Sequence, residues 1–247
     1  MMRRWLLFLL LCAMPAPALA GDLVADLSAH IVRVTTGFAG ATLIVFGSMD
    51  VPADVAVVIE GPAAKATILQ KSRRLGIWVN TDSFVFDDVP GYYAIVSSKP
   101  AEMLAAPGIV AANGLSLDAL RFSVPADGDS AKAELFRKAL VERRVARGLY
   151  REIPGGAHVL SGRLFRAAVP LPANVPIGIY TVHIYLLREG KVVASQTTSL
   201  SVDEIGFSAA VHQAAEFSPF FYACAALAMA LVMGGGGAWL FHKMGEG

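Results

Sequence analysis

The chain carries few side chains whose types and spacing could perform catalysis or bind a metal. Four of its histidines stand singly along the chain, at His30, His158, His183 and His212. Metal sites and catalytic triads leave motifs such as His-x-x-x-His, Cys-x-x-Cys or Gly-x-Ser-x-Gly, and the sequence contains none of these. The sequence therefore predicts a protein that is not an enzyme and that binds no metal or cofactor.

Asp87 and Asp88 form a pair of adjacent carboxylates shortly before Pro90 and Gly91. Beside turn-forming residues, such a pair is more typical of a solvated turn than of an acid–base dyad. An envelope hydrolase is accordingly the least favoured function. Activity that is lost on changing His158 or His183 would be the sign of it.

Charge and hydropathy indicate a membrane protein rather than a nucleic-acid-binding one. The 21 Lys and Arg residues against 20 Asp and Glu residues leave a formal net charge of +1, which provides no global field for a polyanion. Apolar residues make up 55% of the chain and charged residues only 17%, a more apolar balance than soluble proteins have.

The N-terminal segment has the pattern of a secretory signal peptide over residues 1–20. It comprises two arginines, an apolar run from Trp5 to Met14, two prolines and a small-residue end, Ala18-Leu19-Ala20. Because the prolines stop the apolar run short of a membrane-spanning length, we expect cleavage after Ala20 rather than an uncleaved anchor.

The C-terminal segment from Phe217 to Phe241 contains no charged residue and, at about 1.5 Å per residue, is long enough to cross a bilayer as a helix. We expect a transmembrane helix over 218–241, a juxtamembrane linker at 206–217 and a cytoplasmic tail at 242–247. Lys243 favours the cytoplasmic side. The predicted topology is type I, a single-pass protein of the bacterial inner membrane with its N-terminal domain in the periplasm.

Between these ends, short β-rich runs alternate with turn residues in two blocks. The first block has runs at 30–35, 41–46, 55–60, 66–70, 76–79, 83–86 and 92–97, and the second at 158–160, 164–169, 178–187 and 191–201. This pattern predicts a mainly β fold, an Ig-like antiparallel sandwich with a helical insertion.

The domain boundaries follow from where this pattern breaks. We expect the sandwich at 21–125 and a basic amphipathic helix at 126–152. The segment 153–205 either completes the first sheets or forms a small Ig-like lobe. Short helices are also predicted at 101–106 and 116–120.

Residues 131–151 form the strongest helical pattern of the exported part and the only strongly basic stretch that we identify. The cations proposed as contacts for a partner or for lipid are Arg137, Lys138, Arg143, Arg144, Arg147 and Arg151. Three interpretations stay open: a solvated helix on the sandwich, a helix lying on anionic lipid, and a docking face for an acidic partner.

Small residues recur at four-residue spacing in the predicted transmembrane helix, at Ala226, Ala230, Gly234 and Ala238. This spacing places them on one side of a helix, where they let a second helix approach closely in lipid. An alanine-rich helix also produces such a stripe by chance, so both interpretations stay open.

The run Arg73-Arg74-Leu75-Gly76-Ile77-Trp78-Val79-Asn80, with Pro90-Gly91-Tyr92-Tyr93 and Ser97-Ser98-Lys99-Pro100, resembles a family of alphaproteobacterial transmembrane proteins of unknown function. The resemblance covers the whole chain. It implies a signal peptide, an exported domain and one C-terminal membrane helix, and it assigns no catalytic residue. It also implies a gene that is encoded beside that of a sulfite exporter-like permease, which suggests an accessory role.

We therefore expect a non-catalytic protein that is accessory to a membrane partner such as an anion or organosulfur permease, with self-association of the helix as another outcome. The alternative is a membrane-tethered periplasmic module that binds a small ligand.

Overall fold

The protein is represented by a computed structural model that describes residues 23–74, 77–124, 130–205, 223 and 227–235. The fold of these residues is mainly β, as the sequence predicts. The strands are β1 (Leu23–Leu27), β2 (Ile31–Val34), β3 (Ala41–Met49), β4 (Asp54–Glu60), β5 (Ala63–Arg74), β6 (Ile77–Pro90), β7 (Tyr93–Ser97), β8 (Tyr150–Pro154), β9 (Ala157–Leu160), β10 (Leu164–Leu171), β11 (Gly178–Arg188) and β12 (Lys191–Glu204). The helices between β7 and β8 are α1 (Ala101–Leu104), α2 (Pro107–Ala112) and α3 (Ser130–Ala146).

The strands form three sheets. A four-stranded sheet has the order β1-β3-β10-β9 and is antiparallel throughout. A six-stranded sheet has the order β2-β12-β11-β4-β7-β8, and β5 and β6 form a long two-stranded ribbon. The expectation of a purely antiparallel fold is wrong at two places, because β2 runs parallel to β12 and β8 parallel to β7.

The two larger sheets share one hydrophobic core. In β10 and β11, apolar residues alternate with more exposed ones, as expected of strands with one buried face. All five residues of β7 are buried, as are the five central residues of β4. The segment between β7 and β8 contributes Leu104, Val110 and Leu115 to the same core.

The second β block contributes strands to the same two sheets as the first block. β10 pairs with β3, β11 with β4, and β8 with β7. The hairpin between β11 and β12 turns at Glu189 and Gly190, whose φ angles of 52° and 76° suit a two-residue turn.

Two helix predictions are wrong in their extent or position. The basic helix ends at Ala146 rather than at Arg151, because Gly148 adopts a φ of +72° and Tyr150–Pro154 pairs with β7. Residues 116–120 form turns instead of a helix, and α2 lies just before them. The prediction missed β1, and it divided β6 in two.

Several predictions fall outside the described residues. These are the signal peptide at 1–20, the linker at 206–217, the tail at 242–247 and most of the segment 218–241. Within that last segment, residue 223 and residues 227–235 are helical. Over the residues that the structure describes, no helix has both the length and the apolar character needed to cross a membrane.

Candidate functional site

The long ribbon and the C-terminal segment leave the domain at the same end. β4 ends at Glu60, which lies opposite Thr181 near the start of β11. The first residue of β11, Gly178, lies opposite Val202 near the end of β12. A Cβ atom on Gly178 would lie 3.0 Å from Pro62 Cγ, at the base of the ribbon. We call this end, formed by residues 61–63, 90–92, 176–178 and 202–205, the exit end.

Buried tyrosines tie the loops near the exit end together. Tyr92 donates to the Pro170 carbonyl oxygen at 2.7 Å, and Tyr150 donates to the Pro90 carbonyl oxygen at 2.8 Å. Tyr180 donates to the carbonyl oxygen of Pro176, four residues upstream, at 2.5 Å.

Burial raises the pKa of these three tyrosines above the ordinary value, so their hydroxyls remain donors across the physiological pH range. A fourth buried tyrosine, Tyr93, has a pKa that burial raises too, and it donates to the Gly114 carbonyl oxygen at 2.9 Å. This bond fastens the segment between β7 and β8 to the six-stranded sheet. A second bond does the same, because the Leu117 amide donates to the Glu152 carboxylate.

Helix α3 supports the ribbon along one side. The ring of Phe136 stacks on Phe84 with centroids 5.6 Å apart. Lys132 Nζ lies 2.9 Å from Asp82 Oδ2, and this bond lowers the pKa of the Asp82 carboxyl. The ribbon is thus held by an aromatic contact and by an ion pair closer to its tip.

The structure separates the basic residues predicted on this helix. Lys138 and Arg143 are exposed on α3, Arg147 is exposed in the turn that follows α3, and Arg151 is exposed on β8. Arg144 is half-buried, and its Nη1 donates to the Gly91 carbonyl oxygen at 3.5 Å, at the exit end.

Arg137 is wrongly assigned to the exposed set, because it is only 6% exposed. Its guanidinium donates to both carboxylate oxygens of Glu134, at 2.9 and 2.8 Å, and to the Leu120 carbonyl oxygen at 3.3 Å. These bonds raise the pKa of Arg137 and lower that of Glu134. Arg137 therefore holds α3 on the preceding turn instead of meeting a partner.

A second basic cluster, which the sequence analysis did not single out, lies toward the tip of the ribbon. Lys71 pairs with Asn80, Arg73 with Trp78, and Arg74 with Ile77. Three cations within four residues were the available signal. The pairing of β5 with β6 places Arg73 and Arg74 opposite apolar residues of β6 and Lys71 opposite Asn80.

A shallow apolar groove of about 450 Å³ runs over the outer face of the four-stranded sheet. Val24, Phe46, Leu160 and Leu164 line it and are each between 45% and 65% exposed. Arg166 also lines the groove, so a cation stands beside its apolar wall.

The histidines and acidic pairs named in the sequence do not converge. His158 lies on β9 in the four-stranded sheet, whereas His183 lies on β11 in the six-stranded sheet, with its Nδ1 3.0 Å from Thr197 Oγ1. Asp87 lies opposite Lys65, whose Nζ is 3.2 Å from Asp87 Oδ1, in a bulge of the ribbon. Within the described part of the chain, no three His, Cys, Asp or Glu side chains are grouped as a metal would require.

The predicted stripe of small residues is described only in part. Ala230 and Gly234 lie in the helical segment 227–235, while Ala226 and Ala238 lie outside the described residues. Every residue of 227–235 is exposed, including Leu231 at 68%, Val232 at 73% and Met233 at 75%.

Comparison with known proteins gives one family match. The family model described as "Putative transmembrane protein (Alph_Pro_TM)" matches residues 22–243. No curated protein matches the chain.

Proposed function

This chain belongs to the Alph_Pro_TM family of putative transmembrane proteins, and from that premise we propose a non-catalytic, single-pass inner-membrane protein that assists a membrane partner. Its β domain faces the periplasm, after removal of the signal peptide at 1–20. Its C-terminal tail, with Lys243, is cytoplasmic. The family assignment supports membrane association, and the charge pattern at the two ends of the sequence is the ground for this topology.

The observation that carries the proposal is the exposure of an apolar helical segment. Residues 227–235 are helical and exposed at every position. Large apolar side chains that are exposed together mark surfaces that contact a partner or a membrane. Because residues 217–241 contain no charged residue, we take this contact to be with lipid. The segment then continues as a membrane-spanning helix over 218–241.

The exported domain is proposed to be an Ig-like sandwich. The order β1-β3-β10-β9 corresponds to strands A, B, E and D of that fold, and β12-β11-β4 corresponds to G, F and C. Tyr180, near the start of the strand that takes position F, donates to a carbonyl four residues upstream, as the tyrosine corner of Ig-like domains does. Sheet order and this bond both support the assignment.

The membrane partner is proposed to contact the small-residue stripe, and a sulfite exporter-like permease for anions or organosulfur compounds is the candidate. Ala230 and Gly234 lie one turn apart, and a Cβ on Gly234 would meet no atom within 4 Å. Such a surface lets another helix pack closely, since small side chains bring backbones together in lipid.

The test is crosslinking in intact membranes followed by affinity purification and mass spectrometry. The variant Ala230→Leu/Gly234→Leu changes the stripe, and Ala228→Leu/Gly235→Leu makes the same replacements on the opposite side of the helix. We expect both variants to insert, but only the stripe variant to lose the partner. Equal recovery of a permease with both variants, or of no specific partner with wild type, would contradict the proposal.

A second candidate function, a tethered ligand-binding module, is favoured by the apolar groove on the four-stranded sheet. Its apolar wall lies beside Arg166 and Asp26, so it suits a small amphipathic ligand. A ligand that binds only the folded state at about 100 times its dissociation constant stabilises it by about 2.7 kcal/mol. The measurement is thermal unfolding of the full chain in nonionic detergent, with anions, sugars and peptidoglycan fragments, for wild type and Phe46→Ala. Unfolding temperatures that no compound raises would exclude this function for the compounds tested.

A further inference from the structure

We infer that a patch of four exposed isoleucines beside the exit end rests in the interfacial layer of the bilayer, among zwitterionic phospholipid headgroups. This isoleucine patch consists of Ile31, Ile177, Ile179 and Ile205, each between 40% and 71% exposed. The inference rests on the proposed function, because it requires the domain to be tethered to a bilayer by its C-terminal segment.

The strand register brings the patch together on the outer face of the six-stranded sheet. Ser201 of β12 lies opposite Ile31 of β2 on one side and opposite Ile179 of β11 on the other, so these three residues form one row. Leu200 and Val202, on either side of Ser201 in β12, are fully buried. Because side chains alternate along a strand, the row through Ser201 faces away from the core.

The other two isoleucines extend the patch toward the exit end. Ile177 directly precedes β11, two residues before Ile179. Ile205 directly follows β12, and its amide donates to the Val34 carbonyl oxygen at 2.9 Å, which continues the pairing with β2. By the same alternation, Ile205 lies on the face of Ser201, about 13 Å farther along the chain at roughly 3.3 Å per residue. The patch thus covers the last part of this face before the C-terminal segment leaves the domain.

The outer face of β11 and β12 changes from polar to aliphatic toward the exit end. Farther from that end, the opposed residues on this face are Tyr185 with Ser195, His183 with Thr197 and Thr181 with Ser199. The solvated face of an antiparallel sheet is ordinarily polar along its whole length. Here the change follows the strand direction, which is also the direction toward the bilayer in a tethered domain. An interfacial contact requires this arrangement, because lipid headgroups meet only the end of the domain.

The course of the chain indicates lipid as the cover of the patch. Ile205 belongs to the patch and is also the last residue before the segment 206–217, which leads to the uncharged residues 217–241. The segment 206–217 extends at most about 40 Å, at roughly 3.3–3.6 Å per residue, so the exit end stays near the bilayer that the C-terminal segment enters. Apolar faces of interfacial helices are buried to a depth of about 5–10 Å, which is comparable with the height of the patch.

The charges beside the patch favour a zwitterionic headgroup over an anionic one. Arg33 lies opposite Asp203, and Glu204 follows Asp203 in β12. Arg33 and Glu204 are exposed, and neither has an ion pair within the described part of the chain. A phosphatidylcholine headgroup offers a phosphate to the guanidinium and an ammonium group to the carboxylate. Because a purely anionic surface would repel Asp203 and Glu204, we expect no requirement for anionic lipid.

The test places a fluorescent probe inside the patch without removing an isoleucine. Ser201→Cys is labelled with the environment-sensitive fluorophore NBD in a full chain whose two cysteines are replaced, Cys12→Ser and Cys224→Ser. The chain is inserted into phosphatidylcholine nanodiscs with or without nitroxide-labelled phosphatidylcholine as quencher. We expect blue-shifted emission and quenching at position 201. Both effects should persist in high salt, because the contact is apolar.

The reference probe is Ser195→Cys, on the same face of the same strand and about 20 Å farther from the exit end at roughly 3.3 Å per residue. Its emission should be neither shifted nor quenched. Quenching at position 201 that is no stronger than quenching at position 195 would overturn the inference. Quenching at position 201 that disappears in high salt would overturn it too, because the contact would then be electrostatic.

The patch variant removes the apolar surface but keeps β-branched residues, so the strands retain their conformational preference. It is Ile31→Thr/Ile177→Thr/Ile179→Thr/Ile205→Thr. The blue shift at position 201 should be lost, and quenching should fall to the level at position 195. If this variant does not fold, Ile179→Thr alone removes the most exposed of the four side chains and should give a partial loss of quenching.

The matched control removes four equally exposed apolar side chains from the groove on the four-stranded sheet. It is Val24→Thr/Phe46→Thr/Leu160→Thr/Leu164→Thr. Quenching at position 201 should survive in this variant, and a loss as large as that of the patch variant would contradict the inference. A blue shift without lipid quenching, with a disulfide between Ser201→Cys of two chains, would assign the patch to a second copy of the protein instead.

Failure of the inference and failure of the proposed function are distinguishable in the same samples. The fraction of chain that elutes with the discs reports the C-terminal anchor, whatever the patch does. A chain that enters the discs with an unquenched probe at position 201 refutes the patch contact alone. A chain that does not enter the discs refutes the proposed topology, and the patch contact with it, because that contact needs the tether.

Discussion

The buried tyrosines make the fold sensitive to alkali. Tyr92, Tyr93, Tyr150 and Tyr180 are each at most 1% exposed, and burial raises the pKa of each one. In the unfolded chain a tyrosine ionises near pH 10. Above that pH the unfolded state loses protons that the folded state keeps, so the free energy of unfolding falls as pH rises. Below it, the contribution of these groups to stability is fully present.

The magnitude follows from the number of buried hydroxyls. At about pH 11, one unit above the unfolded pKa, each such group lowers the free energy of unfolding by about 1.4 kcal/mol. Four groups lower it by about 6 kcal/mol, which is comparable with the whole stability of a typical domain, about 5–15 kcal/mol. We therefore expect cooperative unfolding of the domain near that pH.

The assay is equilibrium unfolding of the full chain by urea in nonionic detergent, from about pH 8 to about pH 11, followed by circular dichroism and tyrosinate absorbance. Tyr180→Phe should reduce the loss over that interval by about 1.4 kcal/mol, since one titrating group is gone. The half-buried Tyr185 gives the control, Tyr185→Phe, with a smaller reduction. Stability that is flat over the interval, with all tyrosines ionising near pH 10 in the folded chain, would refute the reasoning.

Two further substitutions test the packing at the exit end and on α3. Gly91→Ala places a Cβ 2.9 Å from Pro176 Cγ and should destabilise the domain by about 1–3 kcal/mol in urea unfolding. The control is Gly108→Ala in α2, where a Cβ would meet no atom within 4 Å, and this variant should be neutral or stabilising. Equal unfolding midpoints for the two variants would contradict this packing. Arg137→Gln should return the pKa of Glu134 toward its ordinary value in an NMR titration. The folded pKa of that carboxyl is lowered, so the stability that the pair contributes is fully present above the ordinary pKa and disappears as pH falls through the folded pKa. The free energies of unfolding of wild type and variant should therefore converge in acid.

Local patterns in the sequence predicted most strands, because alternation and turn chemistry are local properties. The predicted runs 178–187 and 191–201 are examples, since they match β11 and β12 and the turn residues Glu189 and Gly190 lie directly between them. The sequence predicts two runs, 76–79 and 83–86, where the structure has β6, because turn-forming residue types lie between them, yet pairing with β5 carries the strand through Asn80 and Asp82. Where a partner strand supplies hydrogen bonds, tertiary context outweighs local propensity.

The candidate sites were harder to predict because they depend on contacts between distant residues. Arg137 was placed on the exposed face because charged side chains are usually exposed, but Glu134 and a carbonyl satisfy its guanidinium in a buried position. The exit end depends on tyrosine hydroxyls that reach carbonyls far along the chain, as Tyr92 reaches Pro170. Tyrosine in a strand pattern gives no sign of which carbonyl it will reach.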